Sequence, residues 1–151
     1  NDNMYFIVGI GDNYIRRSIV EKYLNINYIT LIHETAVIGS DINIGNGTVI
    51  MPNVTINART NIGEHSILNT GSIIEHDNNI GEFSHISPGV VLCGGVNIGE
   101  NAHIGANSTV IQYKSIGDNC IIGAGSTVVR DIKSNSLAVG SPAKIIKEIR
   151  W

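Results

Sequence analysis

From residue 32 onward an aliphatic side chain returns at every sixth position. Ile32, Ile38, Ile44, Ile50, Ile56, Ile62, Leu68, Ile74, Ile80, Ile86, Leu92, Ile98, Ile104, Val110, Ile116, Ile122 and Val128 form one unbroken series. Glycine follows directly in Ile38-Gly39, Ile44-Gly45, Ile62-Gly63, Ile80-Gly81, Ile98-Gly99, Ile104-Gly105, Ile116-Gly117 and Ile122-Gly123. Four places beyond the aliphatic residue, small or β-branched types dominate, as at Thr48, Val54, Thr60, Ser66, Ser72, Ser84, Val90, Ala102, Ser108, Cys120 and Ser126. Six is a multiple of the strand period of two, so the series points to one side of an extended chain, whereas a helical period would scatter it. Each hexad therefore predicts a short flat strand and a turn, and three hexads close a triangular coil with its apolar residues along the axis. Coils of this kind stack at roughly 4.8 Å. The seventeen hexads predict nearly six of them.

Outside the repeat the pattern changes. Met4 to Val8 reads as a buried strand, Gly9-Ile10-Gly11-Asp12-Asn13 as a turn, and Ile15, Ile19, Val20 and Tyr23 recur at helical spacing between Tyr14 and Leu24. Asp12 or Asn13 is the candidate N-cap. Asn27 to Ile32 reads as a second strand leading into the prism. This β-α-β element has two readings: the closing half of a small nucleotide-binding domain with parallel strands, or a cap on the first coil. After the repeat, Ser136 to Gly140 is apolar, and Ser141-Pro142-Ala143-Lys144 predicts a short helix over the last coil. Lys144, Lys147 and Arg150 make that end basic, which fits either a solvated face or the phosphates of a coenzyme. The division is thus 1–31, 32–133 and 134–151.

Composition narrows the class. The chain has 151 residues, enough for one main domain, and its 17 glycines and 3 prolines, with Ile, Val and Asn exceeding Leu and aromatics, favour an all-β fold. A net charge of −3 without a block of like charge leaves no field for a nucleic acid. No run of 18 apolar residues argues for membrane insertion, and Asn1-Asp2-Asn3-Met4 does not resemble a secretory signal, so a cytoplasmic protein is expected. Cys93 and Cys120 match no metal-ligand spacing and are too few for a disulfide framework.

The 18-residue coil turns histidine numbers into positions. His33 and His65 have no histidine partner in that register. His76 lies in Ile74-Glu75-His76-Asp77, and an acid beside an imidazole orients the ring and raises its basicity, as a general base for an amine or hydroxyl requires. One coil later comes Gly94 of the pair Gly94-Gly95, which leaves an opening above the ring. His85 is half a coil from His76, so the two face opposite ways on one subunit and meet only across an interface. His85 and His103, one coil apart, stack at about one strand spacing. Ala106 and Ala124 are also one coil apart.

The strict repeat resembles the bacterial hexapeptide acyltransferases, whose prisms are left-handed and trimeric. From Tyr5 onward the chain is similar to sugar acetyltransferases that include bacillosamine-pathway N-acetyltransferases and sialic acid O-acetyltransferases. The segments that carry this are Leu68-Asn69-Thr70, Ile74-Glu75-His76-Asp77, Ile80-Gly81-Glu82-Phe83-Ser84-His85-Ile86-Ser87, Gly94-Gly95 and Val139-Gly140-Ser141-Pro142-Ala143-Lys144. The resemblance implies a homotrimer, with active sites between subunits, that moves acetyl from acetyl-coenzyme A to the amino group of a nucleotide-linked amino sugar. It implies His76 as the base, with Asp77 enhancing its basicity, and direct attack on the thioester. Asn69 and Gly11 would shape the substrate pocket, while His85, Gly94, Ala106 and Ala124 would hold acetyl-coenzyme A. The His85–His103 pair is the one candidate for a metal shared between subunits, but it lacks the ligand spacing of carbonic anhydrases built on this prism, and no metal is expected. A sialic acid O-acetyltransferase is the alternative enzyme, and a non-catalytic trimeric binding module the alternative of another class. The family opens on a glycine-rich strand-turn-helix that receives the nucleotide, and this sequence starts beyond it, as a shortened form would.

Overall fold

The computed structural model describes residues 4–149; Asn1 to Asn3, used above against a secretory signal, and Arg150 of the basic end lie outside the described residues. β1 (Tyr5–Phe6), α1 (Asn13–Lys22) and β2 (Asn27–Tyr28) precede two-residue strands at six-residue intervals, from β3 (Leu31–Ile32), β4 (Val37–Ile38) and β5 (Asn43–Ile44) to β17 (Ser115–Ile116), β18 (Ile121–Ile122) and β19 (Thr127–Val128). Each of these ends on an aliphatic residue of the series. From β3 to the strand Thr109–Val110, each pairs in parallel with the one 18 residues on, as Val49 with Ile67, Asn61 with Asn79 and Val91 with Thr109. Three faces result: the first holds β3 and every third strand to β18, the second β4 to β19, the third β5 to β17. The architecture is the expected left-handed parallel β-helix.

The corners explain both sequence preferences. A Cβ placed on Gly63 would lie 2.5 Å from the Glu82 amide nitrogen, and one on Gly105 the same distance from that of Ala124, so backbone of the next coil occupies the space a side chain would need. Residues two places further on adopt the left-handed conformation: Arg59, Asp77 and Tyr113 on the second corner, His65, Phe83, Asn101 and Asn119 on the third. Inside the prism, hydroxyls at the fourth position find carbonyls of the next coil, as Ser66 Oγ to Gly81 O (3.0 Å) and Ser84 Oγ to Gly99 O (2.8 Å).

From Ile50 upward the aliphatic series is buried. Ile32 and Ile38 depart from the expectation; they are 49% and 36% exposed because no described coil lies beneath them.

Both ends require correction. The expected C-terminal helix is absent: residues 136–148 form β20 (Ser136–Gly140) and β21 (Ala143–Glu148), an antiparallel hairpin turning at Ser141-Pro142. β20 continues the first face above β18 in parallel register, Ile121 opposite Leu137, and β21 covers its outer edge. A helix would have left the amides and carbonyls of the last coil unpaired, and that need outweighs the local helix-start signal. At the other end β1 and β2 pair in parallel as expected, but the buried strand expected over Met4 to Val8 is only Tyr5–Phe6 and is exposed; Asp12 caps α1 by accepting from Ile15 N at 2.9 Å. The helix does not cap the first coil, however. It lies along the third corner, where Asn13 donates to Asn101 O and Ala102 O while Arg16 reaches His65 O and Phe83 O.

Gly63→Ala therefore lowers stability by about 1–3 kcal/mol through overpacking against backbone, whereas Gly9→Ala, with nothing within 4 Å of its new Cβ, is mild. Thermal melts of the two variants check this; equal effects would refute the crowding argument.

Candidate active site

Two constellations stand on opposite sides of one prism. The first is on the second corner. His76 follows the second-face strand β10 (Ile73–Ile74), and its Nδ1 lies 2.7 Å from Asp77 Oδ2. An ionised carboxylate only accepts, so Nδ1 carries the proton and the Nε2 lone pair is free. Nε2 has no hydrogen-bond partner among the described residues. A Cβ on Gly94 would sit 2.7 Å from His76 Cε1 and 2.8 Å from Nε2, so the ring occupies the room that this glycine leaves. The neighbouring Gly95 leaves room in the same way for the ring of Tyr113, which descends from the coil above.

Asp77 has a second partner that sequence reasoning missed. Arg59, one coil below, donates Nε to Oδ1 at 2.7 Å and Nη2 to Oδ2 at 2.9 Å. The hydrogen bonds from Arg59, then that from His76, hold the Asp77 carboxyl down at about 2, so it is ionised throughout the physiological range. The 18-residue count that placed Gly94 over His76 also places Arg59 beneath Asp77 and Tyr113 above Gly95.

The second constellation lines the first face where it meets α1, a cleft of about 370 Å³ bordered by Gly11, Tyr14, His85, Asn101 and His103. His85 Nδ1 meets Gly11 O at 3.2 Å and its Nε2 meets Asn69 Nδ2 at 3.0 Å. A carbonyl accepts and an amide NH₂ donates, which assigns the proton to Nδ1 and uses the Nε2 lone pair. Burial, then the neighbouring His103, push the His85 imidazole down to about 4. It is neutral at physiological pH and, in this chain, has no nitrogen left for proton transfer. The rings of His85 and His103 meet edge to face with centroids 4.9 Å apart, as the register required. Among the described residues no group of three or more His, Cys, Asp or Glu side chains is arranged to hold a metal.

Gly11 owes its position to Arg16. This guanidinium is 1% exposed and donates to the carbonyls of Ile10, Gly11, His65 and Phe83 and to Asn13 Oδ1, which keeps the turn before α1 against the prism. Burial lowers it to about 10, so it remains charged at neutral pH. Nothing in the sequence pattern marked Arg16, because the helix lies outside the repeat and its docking face is polar.

The predicted residues thus fall into two groups on a single chain. His76, Asp77 and Gly94 are together on the second corner. Gly11, Asn69 and His85 are joined by hydrogen bonds on the first face, and Asn69 is not beside His76 in the same subunit. Ala106 and Ala124 stack on the first corner, where Gly125 N donates to Ala106 O at 2.8 Å. His33 is exposed and bonded to Thr35, and His65 is buried beneath Tyr28 and Phe83. Cys93 and Cys120 are free thiols.

The chain is similar to proteins of known structure. The family described as bacterial transferase hexapeptide (six repeats) matches residues 79–112. No curated protein matches the chain. Among solved structures, PerB from Caulobacter crescentus in complex with CoA and GDP-perosamine is 39% identical, covers 95% of this chain and 70% of its own, and superposes with a TM-score of 0.93. The acetyltransferase domain of PglB from Neisseria gonorrhoeae, in complex with acetyl coenzyme A, is 34% identical over 93% of this chain and 69% of its own, with a TM-score of 0.90. WeeI from Acinetobacter baumannii is 25% identical over 97% and 72%, with a TM-score of 0.89. AntD from Bacillus cereus, at 18% identity and a TM-score of 0.73, shares the fold. With the hexapeptide prism intact and relatives of this identity aligned over nearly its whole length, the chain belongs to the hexapeptide-repeat transferase family that includes these acetyltransferases.

Proposed function

We propose that the chain transfers the acetyl group of acetyl-coenzyme A to the amino group of a nucleotide-linked amino sugar, with His76 as general base. One observation carries the reading: an imidazole pinned through Nδ1 to an ionised Asp77, with its Nε2 lone pair open. The acceptor amine attacks the thioester carbonyl carbon as Nε2 takes its proton; the tetrahedral intermediate then expels coenzyme A by breaking the C–S bond, and the thiolate leaves to be protonated. The ligands of the Caulobacter and Neisseria structures, GDP-perosamine with CoA in one and acetyl-CoA in the other, support both substrates. Structures of the Caulobacter enzyme with one histidine replaced by Asn or Ala fit a histidine of special interest in that protein.

The active form is a homotrimer in this proposal. The outward residues of the third face are Asn43, Asn61, Asn79 and Asn97, whose amides bond one to the next, and Ser115; all suit water. Those of the first face include Val49, Ile67 and Ile121, and those of the second Val37, Ile73 and Val91, which suit burial against protein. Packing the first face of one chain on the second face of the next closes a ring through a heterologous contact. That contact brings His76, at the outer edge of the second face, to the Gly11, Asn69 and His85 cleft of its neighbour. Small residues at Ala106 and Ala124 allow a pantetheine arm close approach to backbone amides, the β1-α1-β2 element receives the nucleotide, and the reaction takes place in the cytoplasm.

His76→Ala should lower kcat by about 10²–10⁴-fold while leaving coenzyme affinity and assembly unchanged by calorimetry and ultracentrifugation; retained turnover would remove the base. Rates on matched amino and hydroxyl sugars test the acceptor class, and preference for the hydroxyl would move the reading to O-acetylation. The pocket also predicts a pH dependence. An unfolded histidine titrates near about 6.5 and the folded His85 near about 4, so between these values the unfolded state binds the extra proton. Stability should be complete above about 6.5 and decline as pH falls toward about 4. Thermal melts of His85→Gln should show a shallower decline than the parent chain; parallel curves would contradict the assignment.

A further inference from the structure

We infer that Arg59 is a positioning residue for the base: its guanidinium clamps Asp77 so that the carboxylate stays on Nδ1 of His76 and the imidazole keeps its lone pair on Nε2. This rests on the reading of His76 as general base. Arg59 and Asp77 are 18 residues apart and hold the same left-handed rung of the second corner, with φ of 59° and 61°, so their side chains leave the prism one above the other. The fork is bidentate, at 2.7 and 2.9 Å, and Asp77 Oδ2 accepts from both Arg59 and His76. A carboxylate held at both oxygens cannot turn away from the ring, and a lysine, as a point charge, cannot reproduce that fork.

The clamp has a chemical purpose. An imidazole in water prefers its proton on Nε2, the tautomer that is useless to a base whose Nδ1 faces protein. Which nitrogen holds the proton is set by the partner of the other. Other groups near the ring do not supply this. Glu75 is engaged by Asn57 Nδ2 at 2.9 Å, Cys93 lies on the coil above Glu75, and Tyr113 stands over Gly95. Asp41, one further coil down, adds attraction that keeps the Arg59 charge in place. Within the single chain the Arg59 side chain is 61% exposed, so it adds little to the packing of its own prism.

The test combines spectroscopy and kinetics on the assembled, ¹⁵N-labelled protein with Arg59→Ala and Arg59→Lys. Long-range ¹H–¹⁵N spectra, with His76→Gln to assign the ring, should show the Nδ1–H tautomer in the parent chain and admixture of Nε2–H in Arg59→Ala. The same variant should lose roughly tenfold in kcat, a fraction of the loss that a fully wrong tautomer causes, with the KM for acetyl-coenzyme A unchanged. Arg59→Lys, which retains the charge and the fold, should fall between the two in both readouts. A parent-like tautomer or a parent-like kcat in Arg59→Ala would overturn the inference. Turnover that survives His76→Ala would instead overturn the base and leave the tautomer result standing, so the two failures are distinguishable.

Discussion

A strand of two residues cannot satisfy its amides and carbonyls within its own coil, so each must bond to the coil above and the coil below. In this prism an amide bonds to the carbonyl 17 residues on, as Asn69 N to Ile86 O and Glu75 N to Leu92 O at 2.8 and 2.9 Å, which sets residues 18 apart side by side on all three faces. Backbone pairing is obligatory in a buried setting, and it leaves no freedom to slip, because a shifted coil would place polar turn residues in the aliphatic interior. The stacked side-chain pairs within the prism are a consequence of that vertical register. His76 stands beneath Gly94, Arg59 beneath Asp77, and His85 beneath His103 for the same reason that Ile80 stands beneath Ile98.

The register gives two histidines of one chain opposite chemistry. His76 emerges at a corner, where its side chain is half exposed and only Nδ1 is held. His85 projects from a flat face beneath α1, where burial and two hydrogen bonds keep it neutral and use both nitrogens. The corner residue keeps one ring nitrogen without a partner among the described residues, whereas both nitrogens of the face residue are engaged. Since a corner and the face opposite it cannot meet on one triangular prism, the split itself argues for a site completed by a second copy.

The N-terminal element joins the prism through an unusual contact. A buried guanidinium without a carboxylate partner costs solvation energy, and here the compensation is a set of backbone carbonyls converging on Arg16 from two coils and from the turn at Gly11. The carbonyls of His65 and Phe83 lie on the third corner, where both residues adopt the left-handed conformation. The docking of α1, and with it the position of Gly11 against His85, is therefore a polar contact, not a hydrophobic one.

How much of this was legible depends on whether a residue lies inside the periodic part. The hexad series alone determined the prism, the strand positions, the buried small residues and the stacking of His76 with Gly94 and of His85 with His103. Periodicity converts sequence distance into spatial distance, and the same arithmetic would have exposed Arg59 and Tyr113. Outside the repeat that conversion fails. Ser141-Pro142-Ala143-Lys144 carries a sound local helix signal, yet the unpaired edge of the last coil made the segment a strand. The docking of α1 on the third corner through Arg16, the hydrogen-bonded line from Gly11 through His85 to Asn69, and the neutrality of His85 were decided by tertiary structure, because each depends on which non-periodic groups are brought together and how far water is excluded from them.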